Sequence, residues 1–458
     1  MHSLADHKHR TDRPVLELAD IFRDYADRLP ALTGQQARVV RAITKCRTAA
    51  LGGHINECDL CEYQEISYNS CRNRHCPKCQ GLEQVRWLEA QQQRLLPIEY
   101  HHVVFTVPDV LHPLFLTNRR QTYNLAFAAV SETLDEVALR PKNLGAKIGF
   151  SLVLHTWTQT LLYHFHLHCI VTGGGLHPDG SRWVSAKPGF LFSVRILAKV
   201  FRGKLLQKLE KALDCDRIAN HDGDPKERLR MAARKNWVVY SKPPFAGPEQ
   251  VLKYLGRYTH RIAISNQRLV SMKDGQVTFH WKDRTHGDKN KIMELDAGEF
   301  MRRFLLHVVP KSLMRIRHYG LFANSVTHEL IHRCRKLLCV EASDFSDTND
   351  PQRETWQELV HRLTGRDVTL CPQCHTGHLI MKETLPALRL WPPVQPRAPG
   401  EDAFVHISFA NSGTVGVVCF FNEVNHETKL PDVLSIFSEP HLRCLIERLR
   451  PKVSFLSS

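Results

Sequence analysis

The chain has 458 residues, 62 Lys and Arg against 47 Asp and Glu, and so a formal charge of +15, with 43% hydrophobic and 24% charged residues. That length and composition suit a globular protein with two or more cores of about 100–200 residues each, and exclude a small disulfide-stapled domain or an acidic disordered chain. The cationic excess points to a polyanion, because each phosphate neutralised by Lys or Arg releases condensed counterions and adds affinity without sequence specificity.

The amino terminus, MHSLADHKHRTDRP, has no apolar core or small-residue cleavage site. No run of about 18 apolar residues follows it. The sequence therefore predicts a soluble, cytoplasmic protein, in which paired thiols among the 14 cysteines are more often metal ligands than bridges.

Over residues 14–50 the apolar spacing of Val15, Leu18, Phe22, Tyr25 and Leu29, then Val39, Val40 and Ile43, follows a helical period. Two thiolate pairs come next, Cys58-Asp-Leu-Cys61 and Cys76-Pro-Lys-Cys79. Each pair sits on a short turn whose amides can hydrogen-bond sulfur, and two such turns close a tetrahedron on structural Zn²⁺. Cys46, His54, Cys71 and His75 are near enough to replace a ligand or form a second site. Around the cluster, Arg72, Arg74 and Lys78 make a basic face that suits a DNA backbone.

From residue 98 the pattern turns to β-rich runs. Tyr100–Val107 reads as a strand by its β-branched and aromatic content, a helix is expected over 119–140, and Gly149–His155 and His164–Val171 are two further strands, the last closed by Gly173–Gly175. In a strand, residues two apart share a face. His164, His166 and His168 therefore project together, while Phe165, Leu167 and Cys169 point to the core. Three imidazoles ahead of a glycine run suit a divalent-metal platform with open positions, as a catalytic site requires.

Lys226, Arg228, Arg230, Arg234 and Lys235 lie on Lys-rich helices over 183–235 and are read as either a DNA-contacting ridge or an ordinary solvated face. Ser241–Pro248 reads as a turn-rich loop, with Pro248 in the first turn of a helix reaching His260. On that helix Tyr254 and Tyr258 share a face beside a basic stripe of Lys253, Arg257 and Arg261. A phenolate there can attack a phosphodiester and conserve its bond energy as phosphotyrosine.

A hairpin with a charged tip is expected over 275–291, where His280 and Trp281 can stack on unpaired bases, a buried Trp281 being the commoner arrangement, and helices are expected over 297–307 and 324–341. A further thiolate pair, Cys371 and Cys374, can complete a second zinc site with Cys334 and Cys339. Beyond residue 390 a Pro-rich linker leads to mixed strands and a helix near 439–449.

These residues carry a resemblance. The chain resembles the IS91 family of transposases, within the wider group of HUH single-strand nucleases, over about residues 20–325. The motifs that carry it are Cys71–Gln80, His155-Thr-Trp157, His166–Gly175, Trp237–Pro244, Tyr254–Asn266 and Arg315–Gly320. The resemblance implies an α+β fold: a ferredoxin-like HUH core, an antiparallel sheet with helices on one side, behind an amino-terminal zinc domain. On this reading a helical and zinc-binding domain spans 14–95, the nuclease 98–325, a helical segment with the second zinc site 326–390 and a carboxy-terminal extension 391–458.

The implied activity is rolling-circle transposition, in which single-stranded DNA at element ends and targets is nicked and joined through 5′-phosphotyrosine. His166 and His168 become the ligands of Mg²⁺ or Mn²⁺, and Tyr254 and Tyr258 the nucleophiles. For the third ligand, His164 is on the right face, with Gln159, His155 and His102 also open. A replication initiator or relaxase of the same chemistry, and a non-catalytic zinc-dependent DNA-binding protein, are the competing readings.

Overall fold

The computed structural model describes residues 16–92, 94–219, 223–245, 250–251, 256, 263–283, 287–325, 327–339, 354–388, 405–409 and 415–419. The chain divides into two units, Met1–Leu388 and Arg389–Ser458. In the second, β13 (Val405–Phe409) and β14 (Val415–Cys419) form an antiparallel hairpin. The helix expected near 439–449 lies outside the described residues.

The first unit opens with helices α1 (Leu18–Asp24) and α2 (Gly34–Lys45). A capping box starts α2: the Thr33 hydroxyl accepts from the Gln36 amide while the Gln36 side chain accepts from the Thr33 amide. The helix then buries Val39, Val40 and Ile43 at the helical period read from the sequence. Strands β1 (Gly53–Cys58) and β2 (Gln64–Tyr68) and helix α3 (Gln80–Gln92) follow.

Next come β3 (Tyr100–Thr106), α4 (His112–Thr117), α5 (Arg119–Leu139), β4 (Lys147–Trp157), β5 (Tyr163–Leu176) and β6 (Trp183–Ser185). Helices α6 (Val194–Asp214) and α7 (Pro225–Arg234) lead to β7 (Val239–Phe245). Three strands, β8 (Leu269–Lys273), β9 (Gln276–Asp283) and β10 (Lys289–Asp296), form a separate antiparallel sheet ahead of α8 (Ala297–Leu306). The unit closes with β11 (Ile316–Gly320), α9 (Thr327–Leu337), α10 (Trp356–Thr364) and β12 (Leu379–Leu385).

The central sheet is antiparallel in the order β11-β4-β5-β3-β7, with β6 added to the end of β5. Its two faces differ. Phe165, Leu167 and Cys169 of β5 join Val103, Phe105 and residues of α5 and α6, such as Phe127 and Phe201, in the largest apolar cluster. On the other face Tyr100, Val153 and Ile170 pack with Leu95, Leu96, Leu321, Phe322 and Ile331. A third cluster joins α1 and α2 to β9 and α8 through Phe22, Ile43, Phe279 and Phe304.

Two expectations change. Strand β5 runs through Gly173–Gly175 to Leu176 instead of ending there. The reason is close approach: a Cβ on Gly175 would lie 2.5 Å from the Lys147 carbonyl oxygen, and one on Gly174 would lie 2.7 Å from the Trp183 ring. Residues 241–245, read as a loop, complete β7, and Pro243 and Pro244 are tolerated because β7 is an edge strand.

Candidate metal centres

Antiparallel pairing sets His155 of β4 directly opposite His166 of β5. His155, His166 and His168 thereby converge, with one ring nitrogen from each lying within 4.8 Å of the others. His155 and His168 are buried and His166 is half-buried. His164 shares their face but is not one of this group of three. It packs against His112, ring centroids 6.0 Å apart. Burial lowers the His164 pKa, and burial followed by the nearby His164 holds His112 down to about 4.

The surrounding contacts select tautomers. His166 Nδ1 lies 2.8 Å from the His164 carbonyl, which can only accept, so Nδ1 carries the proton and Nε2 becomes the donor atom for a cation. His102 of β3 is brought beside His168, its Nε2 2.9 Å from His168 Nδ1. Trp157 stacks on His155 at 4.5 Å between centroids. Three imidazole nitrogens from two paired strands, two of the rings buried and one half-buried, fit a divalent cation. Of His164, Gln159, His155 and His102, it is His155 that the structure groups with His166 and His168, while His102 lies beside His168.

Tyr254, Tyr258, Lys253, Arg257 and Arg261 lie outside the described residues. Of that helix segment Gln250, Val251 and Gly256 are described. Val251 is buried in the cluster with Tyr100, Leu321 and Phe322, and the carbonyl of Gly256 accepts from the Gln84 side chain of α3.

The four thiolates grouped by spacing, Cys58, Cys61, Cys76 and Cys79, divide between two clusters. Cys76 and Cys79 join Cys46, at the carboxy-terminal end of α2, and Cys71. Sulfur separations there are 3.4 Å for Cys46 to Cys79 and 3.6 Å for Cys71 to Cys79. A tetrahedron with Zn–S near 2.3 Å has edges of about 3.8 Å, so the set fits zinc with a slight opening. The Cys71 amide points at Cys46 Sγ, 3.5 Å away.

Cys58 and Cys61 lie instead with Cys371 and Cys374. Cys334, buried in the apolar cluster under the sheet, and Cys339, exposed, are in neither group. His75 is no ligand: its Nε2 accepts from the Val309 amide at 3.3 Å and its Nδ1 lies 3.0 Å from Asn73 Oδ1. No spacing rule singles out Cys46, a lone thiol at a helix end.

The basic residues around the zinc cluster have intramolecular roles. Lys78 pairs with Glu17 at 2.7 Å and Arg74 donates to the Leu313 carbonyl at 2.7 Å, while Arg72 is exposed. On α7, Lys226 pairs with Asp214 and Arg230 with Glu227, both at 2.9 Å. That face carries compensated charge, which weakens its reading as a DNA ridge. Trp281 is half-buried beneath the Lys291 ammonium, 5.6 Å from its ring centroid.

Two family models match the chain, one described as "Transposase zinc-binding domain" over residues 17–107 and one as "Putative transposase" over residues 149–329. The chain is 48% identical over 379 residues to "Putative transposase y4qJ" of Sinorhizobium fredii, covering 80% of this chain and 95% of that protein. It is 27% identical over 341 residues to "Transposase for insertion sequence element IS801" of Pseudomonas savastanoi pv. phaseolicola, covering 72% of this chain and 80% of that one. Among the described residues no helix is long and apolar enough to cross a membrane.

Proposed function

Because this chain belongs to the IS91 family of transposases and carries an amino-terminal zinc-binding domain, we propose that it nicks and joins single-stranded DNA by a rolling-circle route, through 5′-phosphotyrosine. The observation that carries this reading is the convergence of His155, His166 and His168. The proposed core is the ferredoxin-like HUH nuclease, with α5 and α6 on one face of its antiparallel sheet and the histidines on the other. The proposed organisation keeps a zinc domain over 14–95, the nuclease over 98–325 and two carboxy-terminal segments over 326–390 and 391–458.

The three imidazoles would hold Mg²⁺ or Mn²⁺, and an all-nitrogen set favours Mn²⁺, since Mg²⁺ prefers oxygen donors. When bound, the cation polarises the phosphodiester oxygens. Tyr254 or Tyr258 attacks phosphorus, the P–O3′ bond breaks, and the phenolic proton ends on the departing 3′-oxygen. The phosphoryl group is then held as tyrosyl 5′-phosphate until an incoming 3′-hydroxyl reverses the exchange. A second tyrosine lets two strands be handled without releasing the first. Val251 belongs to the same apolar cluster as Tyr100, which lies on the histidine face of the sheet, and this supports the role. Arg72 and the Lys253, Arg257 and Arg261 stripe are the proposed phosphate contacts.

Incubating the purified protein with a labelled single-stranded oligonucleotide of an element end and Mn²⁺ or Mg²⁺, then denaturing, should give a covalent protein-DNA adduct. Changing Tyr254→Phe and Tyr258→Phe together should abolish it. An adduct that survives the double change overturns the assignment of the nucleophiles.

A further inference from the structure

We propose that Cys58, Cys61, Cys371 and Cys374 form a second structural zinc site, a clasp that fastens residues 366–388 onto the amino-terminal zinc domain from some 310 residues away along the chain. The sulfur geometry matches a single tetrahedron. Cys58 Sγ lies 3.7 Å from Cys374 Sγ, and Cys61 Sγ lies 3.6 Å from Cys371 Sγ. These separations are near the ~3.8 Å edge set by Zn–S bonds of about 2.3 Å, and far above the ~2.05 Å of a disulfide.

Both pairs are built as the same kind of turn. The Leu60 amide points at Cys58 Sγ (3.5 Å), the Gln373 amide at Cys371 Sγ (3.4 Å) and the Gly377 amide at Cys374 Sγ (3.3 Å). Amides aimed at sulfur stabilise the thiolate form that a metal needs. The turns also grip each other: the His378 amide donates to Asp59 Oδ1 at 2.7 Å, and the Asp59 amide to the His378 carbonyl at 3.1 Å. Gly377 lies so close that a Cβ there would stand 2.5 Å from Cys58 Sγ.

What this segment lacks is a core. Strand β12 pairs with β1 from Gly53↔Leu385 to Cys58↔Leu379, yet every side chain of β12 is exposed or half-exposed. β2, on the other side of β1, is equally open. The pair between Lys382 and Glu57 is at the surface and contributes little. A three-stranded ribbon that buries so little apolar surface needs a metal to hold it, as small zinc domains do. Cys58 and Cys371, 2% and 0% exposed, are the thiols placed to supply that hold.

Metal analysis of the full-length protein tests this. Wild type should carry two zinc ions per chain. Changing Cys371→Ser with Cys374→Ser should leave one, as should Cys58→Ser with Cys61→Ser. Combining all four should still leave one, because both pairs serve one ion. Cys334→Ser with Cys339→Ser should retain two. A single zinc in the wild type, or none in a quadruple variant that keeps native helix content by circular dichroism, overturns the shared site. Gly377→Ala keeps every thiolate yet crowds Cys58. It should release one of the two ions to a chelator several-fold faster than wild type, and an unchanged release rate counts equally against the clasp.

Discussion

His102 Nε2 lies 2.9 Å from His168 Nδ1, with the two rings within 6° of coplanar. That relationship joins β3 to β5 at the histidine group and gives His168 a fixed orientation. A hydrogen bond to the second nitrogen of a metal-binding imidazole sets its tautomer, and losing such a partner costs about 10–100-fold in metal affinity or activity. His102→Phe should therefore raise the Mn²⁺ concentration needed for half-maximal nicking by that factor, and His102→Gln should recover part of it. Mn²⁺ titration followed by calorimetry checks this, because a merely structural role would lower thermal stability without moving the metal dependence.

His155 and His164 divide the third-ligand question. His155 faces His166 across the β4-β5 ladder, whereas His164 packs against His112. His155→Ala should abolish divalent-metal binding and adduct formation, while His164→Ala should retain both with at most a several-fold loss. The reverse order of severity, measured in the same titrations, would move the site one position along β5.

Cys46, which the sequence offers only as a substitute or second-site ligand, joins Cys71, Cys76 and Cys79 in one group of four thiols. Cys46→Ser should strip the ion held with Cys71, Cys76 and Cys79 and destabilise the domain by several kcal/mol, because structural zinc binding is folding free energy. His54→Ala, on β1, should leave the zinc content unchanged. Zinc content and thermal melting of the two variants separate these outcomes.

Acid should weaken the fold through His307, whose side chain lies 1% exposed, with Nε2 2.9 Å from the Leu161 carbonyl and Nδ1 3.2 Å from Thr156 Oγ1. Burial lowers its pKa from 6.5 to about 4. The unfolded chain then binds a proton near 6.5 that the folded chain refuses until about 4, so unfolding takes up a proton between those values. Stability is full above 6.5 and falls as pH drops towards 4, by up to about 3 kcal/mol at 1.36 kcal/mol per pH unit. Denaturant melts across this range should show the slope, and His307→Gln should flatten it.

Strand alternation made much of the site legible. Phe165, Leu167 and Cys169 enter the core while His166 and His168 share the opposite face, as period two requires. Helices read at 119–140 and 297–307 form as α5 and α8, because their apolar residues recur at helical spacing. The path of β5 through Gly173–Gly175 was not legible, because those glycines answer to backbone and ring atoms of Glu99, Lys147 and Trp183, all contributed by neighbouring segments.

The sequence by itself determined the short-range pattern: that Cys58-x-x-Cys61, Cys76-x-x-Cys79 and Cys371-x-x-Cys374 have metal-ligand spacing, and that three imidazoles of β5 share a face. Those are properties of a few consecutive dihedral angles. Only the tertiary structure decided the partners, because strand pairing and register act between distant segments. Register sets His155 against His166, the end of α2 carries Cys46 to Cys79, and β12 pairing with β1 carries Cys371 and Cys374 to Cys58 and Cys61.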